Sequence, residues 1–161
     1  DVPFLRPAEL ATDTAPAIAL VRHALEQFPW VTDVLMLQPT SPLRTREDIE
    51  AILELRRQAG KESAVSLTIS PKHPAWMFRL DTQNLLRKQI IEDPASCRQH
   101  LSDVYVLNGA LYLATREFLM REEAFISQHT LGYVMPPERS VDIDTPLDWQ
   151  WAEFLMQQQL P

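Results

Sequence analysis

The feature that most constrains this chain is the unbroken apolar run Val34-Leu35-Met36-Leu37, closed by Gln38-Pro39-Thr40-Ser41-Pro42. Four consecutive apolar residues leave no polar face, so as a strand the run must be covered on both sides. Strands of that kind favour parallel pairing, and the two prolines that follow force a loop. The flanking segments alternate accordingly. Ile18, Val21, Leu25 and Phe28 recur at three- or four-residue steps, which predicts an amphipathic helix over residues 16–28, capped by Asp13 or Thr14. Thr45 and Asp48 ahead of Ile49, Ile52 and Leu53 predict a second helix with a capping box, ended by Gly60.

Residues 64–69 are β-prone and are broken by Pro71 and Pro74. Residues 104–107 and 110–114 are strand-like around Asn108-Gly109, as a hairpin turn or as one bent strand. Residues 132–135 and 141–144 read as short strands, and Thr145-Pro146 opens a helix running toward Gln158. The expectation is one α/β domain over residues 1–161, three-layered, with a mostly parallel sheet. Residues 72–103 form either a protruding polar arm or a plain surface excursion.

With 161 residues and 45% apolar content the chain can bury a real core. A formal charge of −7 argues against a nucleic-acid coat protein, which needs excess Lys and Arg to replace phosphate counterions. Cys97 is the single cysteine, so no intrachain disulfide forms, and the four histidines lack zinc-ligand spacing. That usage suits a reducing cytoplasm. No apolar run approaches the roughly 20 residues that cross a bilayer, and no signal-type segment opens the chain. No membrane partner is expected. The opening from Asp1 into Leu5-Arg6-Pro7 reads as the middle of a domain.

Two stretches carry chemistry. In Asp142-Ile143-Asp144 both carboxylates share a face if the segment is a strand, and paired oxygen donors suit Mg²⁺ and a polyphosphate. The competing reading has one aspartate capping the next helix and the other simply exposed. Asp148, three residues after Thr145, fits a cap and is read as structural. The loop from Gln38 to Arg44 follows a buried strand, at the sheet edge where α/β ligands bind. Gln38, Thr40, Ser41 and Arg44 there offer amide, hydroxyl and guanidinium groups, although an ordinary polar loop has the same composition. Arg98 can pair with a carboxylate in a two-pronged manner. Tyr112 can present a hydroxyl to a sugar, and Phe125 can stack on a sugar face or fill a core.

Taken together these stretches resemble the acylneuraminate cytidylyltransferases, the CMP-sialic acid synthetase family that also serves legionaminic and pseudaminic acids. The resemblance rests on Arg6-Pro7-Ala8-Glu9-Leu10-Ala11 with Asp13, Leu37 through Arg44, Arg98-Gln99, Asn108-Gly109-Ala110-Leu111-Tyr112, and Val141 through Asp148. It implies a Rossmann-like nucleotidyltransferase fold in which a nine-carbon acidic sugar attacks the α-phosphate of CTP with Mg²⁺ present. By position it implies a metal-binding, catalytic role for Asp142 and Asp144, and a place for Gln38 in the loop facing nucleotide and sugar. It implies sugar-side positions for Arg98, Tyr112 and Phe125, with Thr40, Ser41, Arg44 and Asn108 also on the substrate side and Arg6 toward the nucleotide. It further implies a homodimer, with residues 75–103 as the candidate dimerisation arm.

One departure is large. The family's opening strand and its glycine-rich basic loop, of the type Pro-Ala-Arg-Gly-Gly-Ser-Lys, have no counterpart in these residues. The expectation is that they hold metal and sugar groups without the main phosphate donors, and turn over weakly or not at all alone. Two other classes stay open: a non-catalytic remnant that binds sugar or oligomerises, and a nucleotide-sugar glycosyltransferase with a D-x-D metal site. The latter would place that motif mid-chain, whereas here it lies close to the end.

Overall fold

The structure is a computed structural model and describes residues 4–12, 14–88 and 102–159. Four strands form the main sheet: β1 (Asp33–Met36), β2 (Ser63–Ile69), β5 (Tyr105–Thr115) and β6 (Leu131–Val134), in the order β1-β5-β2-β6. Two more, β3 (Phe78–Leu80) and β4 (Leu86–Lys88), make a separate antiparallel hairpin. The helices are α1 (Ala17–Gln27), α2 (Arg46–Ala59), α3 (Arg116–Glu122) and α4 (Pro146–Gln159). No described helix is long and apolar enough to cross a membrane.

The sheet corrects the expectation of mostly parallel pairing. β5 runs antiparallel to both β1 and β2, and only β2 and β6 pair in parallel. The apolar run in β1 was nonetheless a true report of burial on two sides. Val34 and Met36 pack against the core formed with α1 and α3, while Leu35 packs into the core on the α2 side. An unbroken apolar run records two covered faces and carries no information about the direction of the neighbouring strand.

Two cores flank the sheet. Val21 and Leu25 of α1 meet Phe118 and Leu119 of α3 over Val65 and Ala114; on the opposite face Ile52 of α2 lies over Ala64, Leu111 and Leu113. The result is three layers, as expected from alternating elements. A third, smaller core joins α4 to the irregular chain beside it, through Leu43, Val141 and Ala152.

Two local readings change and one is settled. Helix α1 begins after Pro16, whose side chain has no polar atom and makes no cap bond, and the Ala15 amide ahead of it donates to the Thr12 carbonyl. Thr14 is therefore not the cap, and Asp13 lies outside the described residues. Residues 141–144 form no strand. Residues 105–115 are one bent strand, the second of the two expected alternatives: β5 passes Ser66 with a register shift between Val65 and Leu67, where Gly109 takes φ +74°. The Ser66 hydroxyl bridges that bulge, accepting from the Leu111 amide at 2.8 Å and donating to Asn108 Oδ1 at 2.6 Å.

Candidate active site

Three segments converge at the bulge. The first is the loop of residues 37–44, where Arg44 Nη1 donates to the carbonyls of Gln38 (2.7 Å) and Ser41 (2.6 Å). Nη1 of the guanidinium thus braces the loop, and burial lowers the pKa of Arg44 from the ordinary value.

The second segment is the β5 bulge. Asn108, 3% exposed, uses its whole amide internally: Oδ1 takes the Ser66 hydroxyl, and Nδ2 donates to Ser140 Oγ at 2.9 Å. Its carbonyl accepts from the buried Ser41 hydroxyl at 3.2 Å. Asn108 thus brackets the site, with its amide bonded within the fold.

The third segment, residues 136–145, joins β6 to α4. It is pinned to the first by a bond from the Ile143 amide to the Thr40 carbonyl at 2.8 Å. Val141 and Ile143 both pack toward α4. The two-residue alternation expected of a strand is therefore present in the packing although no ladder forms.

All three segments meet over Gly109. A Cβ placed there would lie 2.9 Å from Asp142 Oδ2 and 3.0 Å from both Gln38 Oε1 and Ser41 Oγ. A positive φ and this crowding together restrict the position to glycine. The other oxygen of Asp142, Oδ1, is buried and has no hydrogen-bond partner among the described residues. A carboxylate oxygen removed from water in that way is costly unless something neutralises it. Asp142 also bears on Tyr112, whose phenol pKa is raised first by burial and then by the Asp142 charge.

The remaining expected residues sort by position. Asp144 is exposed at the end of the third segment, its amide donating to Asp148 Oδ2 at 3.2 Å. Thr40 contributes its carbonyl. Phe125, 8% exposed, lies edge-on to Tyr112 with ring centroids 5.6 Å apart, so of its two expected fates it takes the core one. Arg6 is exposed ahead of the short turn Ala8–Leu10. Arg98 lies outside the described residues, as do residues 89–101 of the expected arm.

The oxygen set suits Mg²⁺, which is held by one or two carboxylates and keeps several waters. Among the described residues no group of three or more His, Cys, Asp or Glu side chains assembles. Asp142 Oδ1, buried and without a partner among the described residues, is the donor there that a cation would satisfy.

Sequence reasoning missed a polar cluster behind the site. Asp48, wholly buried, accepts from Arg139 Nε (3.0 Å) and Nη2 (2.8 Å), from the Tyr133 hydroxyl (3.0 Å), and from the Thr45 amide (2.9 Å) and hydroxyl (3.2 Å). Burial opposes its charge, yet the bonds from Arg139, Thr45 and Tyr133 outweigh it and hold the pKa below the ordinary aspartate value. The signal was faint: an Asp where a capping box more usually carries Glu.

No protein-family model compared with the chain matches it. It is 36% identical over 163 residues to CMP-N,N'-diacetyllegionaminic acid synthase of Legionella pneumophila, covering 97% of the chain and 69% of that protein. It is 31% identical to the N-acylneuraminate cytidylyltransferase of Escherichia coli O18:K1:H7, covering 96% of the chain and 37% of that protein. Among solved structures, CMP:2-keto-3-deoxy-manno-octonic acid synthetase complexed with CTP superposes with a TM-score of 0.61 at 15% identity. The match covers 92% of this chain and 70% of that one, and supports the nucleotidyltransferase fold. With its fold, its ordered motifs and its relatives in agreement, the chain belongs to the acylneuraminate cytidylyltransferase family, which includes the legionaminic acid enzymes.

Proposed function

We propose that this chain carries the metal and sugar side of an enzyme that transfers CMP from CTP to the anomeric hydroxyl of a nine-carbon acidic sugar of the sialic, legionaminic or pseudaminic type. The observation that carries the reading is the oxygen cradle over Gly109, with Asp142 Oδ1 buried beside it and unpartnered among the described residues. In the reaction the hydroxyl oxygen forms a bond to the α-phosphorus, the bond from that phosphorus to the bridging oxygen breaks, pyrophosphate leaves, and the hydroxyl proton is lost. Asp142 and Asp144 are the residues that would hold Mg²⁺, which offsets charge building on the phosphates. Gln38 and Ser41 orient what lies over the cradle, and Arg44 holds both in place.

The test is pyrophosphate release from CTP with neuraminic, legionaminic and pseudaminic acids, in the presence of Mg²⁺. Turnover should vanish in Asp142→Asn and fall sharply in Gly109→Ala, whose new Cβ collides with the cradle oxygens. Undiminished turnover in Asp142→Asn would remove the reading.

The proposed assembly is a homodimer. The β3–β4 hairpin in the 75–103 region supports it, because Phe78, Leu80 and Leu86 are exposed there at 46%, 64% and 65%. Light scattering should give twice the chain mass, and Leu80→Glu with Leu86→Glu should return a monomer. The proposed compartment is the cytoplasm, with which the lone Cys97 agrees.

A further inference from the structure

Residues 135–145 leave β6 and reach α4 without regular strand structure, yet Asp142 and Asp144 must stand at defined places if they are to share a cation. The fixation comes from outside the segment. Arg139 ends the short turn Pro137–Arg139, three residues ahead of Asp142, and its guanidinium forks onto both oxygens of Asp48. Tyr133, on the strand that leads into the segment, binds the same carboxylate.

Asp48 is also the third helical residue of α2, where it closes the capping box with the N-cap Thr45, and α2 directly follows the loop supplying Gln38 and Ser41. One carboxylate therefore ties the loop of residues 37–44 to the segment carrying the acidic pair. A reciprocal cap involves only Thr45. The three further bonds from Arg139 and Tyr133 reach 85 to 91 residues along the chain. Networks that satisfy every buried polar atom in this way hold one geometry.

We propose that Arg139, anchored on Asp48, is a positioning residue that sets where Asp142 stands over Gly109 and where Asp144 follows it in the same segment. The proposal rests on the reading of Asp142 and Asp144 as the metal-binding pair. Arg139 touches neither nucleotide nor sugar in this scheme; it acts through the backbone between residues 139 and 142. Ser140, bonded to Asn108 Nδ2 and to the Pro136 carbonyl, holds the opposite side of the same segment.

The experiment compares the unaltered chain with Arg139→Lys, Arg139→Met and Asp142→Asn. Amide hydrogen exchange is read at Ile143, which bonds the Thr40 carbonyl, and at Leu111 and Leu113 in the centre of β5. Mn²⁺ affinity in the presence of CTP is read by electron paramagnetic resonance. In Arg139→Met, exchange at Ile143 should rise while Leu111 and Leu113 keep their protection. Mn²⁺ affinity should fall at least about tenfold, as when an outer partner of a metal ligand is removed. Arg139→Lys should fall between, because lysine keeps the charge and loses the fork.

Unchanged exchange at Ile143, or an equal rise there and in β5, would overturn the proposal and leave Arg139 as a general support of the fold. Equal Mn²⁺ binding by the unaltered chain and Asp142→Asn would instead sink the metal reading, while the exchange measurement still decides the positioning role. If Arg139→Met does not fold, Arg139→Lys carries the same two readouts.

Discussion

Helices α2 and α4 open on the same local pattern, Thr45-Arg46-Glu47-Asp48 and Thr145-Pro146-Leu147-Asp148. In each, the aspartate carboxylate takes the threonine amide and hydroxyl, and the threonine hydroxyl takes the aspartate amide. There the likeness ends. Asp48 is wholly buried and gains Arg139 and Tyr133, whereas Asp148 is half-buried and, among the described residues, gains the Asp144 amide. One motif is a helix start; the other is a helix start that also anchors the segment carrying Asp142. Equal sequence signatures thus carry unequal energies, because the value of a carboxylate depends on which partners would be left unpaired without it.

Substitution at the two positions should separate them. Asp48→Ala strands the Arg139 guanidinium in a partly buried site and is expected to cost about 3–5 kcal/mol in urea unfolding. A loss no larger than that of the matched Asp148→Ala would break the comparison.

Acid should sharpen it. The folded pKa of Asp48 lies below the ordinary value of 3.8, so its contribution is present above that value and is lost as pH falls through the lower folded one. The stability gap between the unaltered chain and Asp48→Asn should therefore stay constant from pH 7 to about 4 and narrow only below it. Narrowing already near pH 6 would implicate a different group.

Asp148→Ala removes an ordinary cap and should lower Tm by about 2–4 °C. At the small end, Glu50→Gln breaks an exposed i,i+4 pair with Arg46 and should leave Tm unchanged within about 1 °C.

Much of the local structure was legible beforehand because it is decided by neighbours in the chain. The Thr45–Asp48 box, the left-handed Gly60 that ends α2 and the start of α4 at Thr145-Pro146 each depend on atoms a few residues apart. The cradle was legible in part. Gln38, Ser41 and Asp142 were identified by type and spacing, and they do meet over Gly109. The brace formed by Arg44 was not, since the residue types in a loop do not say whether a guanidinium turns toward the loop's own carbonyls or toward a ligand. The internal partners of Asn108 and Phe125, Ser140 and Tyr112, were not legible either, because side-chain contacts of that kind are set by the tertiary fold.

By itself the sequence determined which segments become helices and strands, that three layers form, and which oxygen-bearing residues gather near one site. Periodicity, caps and apolar runs are short-range properties, and they survive whatever the rest of the chain does. The tertiary structure alone decided that β5 inserts antiparallel between β1 and β2, that its bulge needs glycine at position 109, and that Asp48 meets Arg139 across 91 residues. Those outcomes depend on which surfaces are left to be covered once the local elements exist, and on desolvated charges that must then find partners.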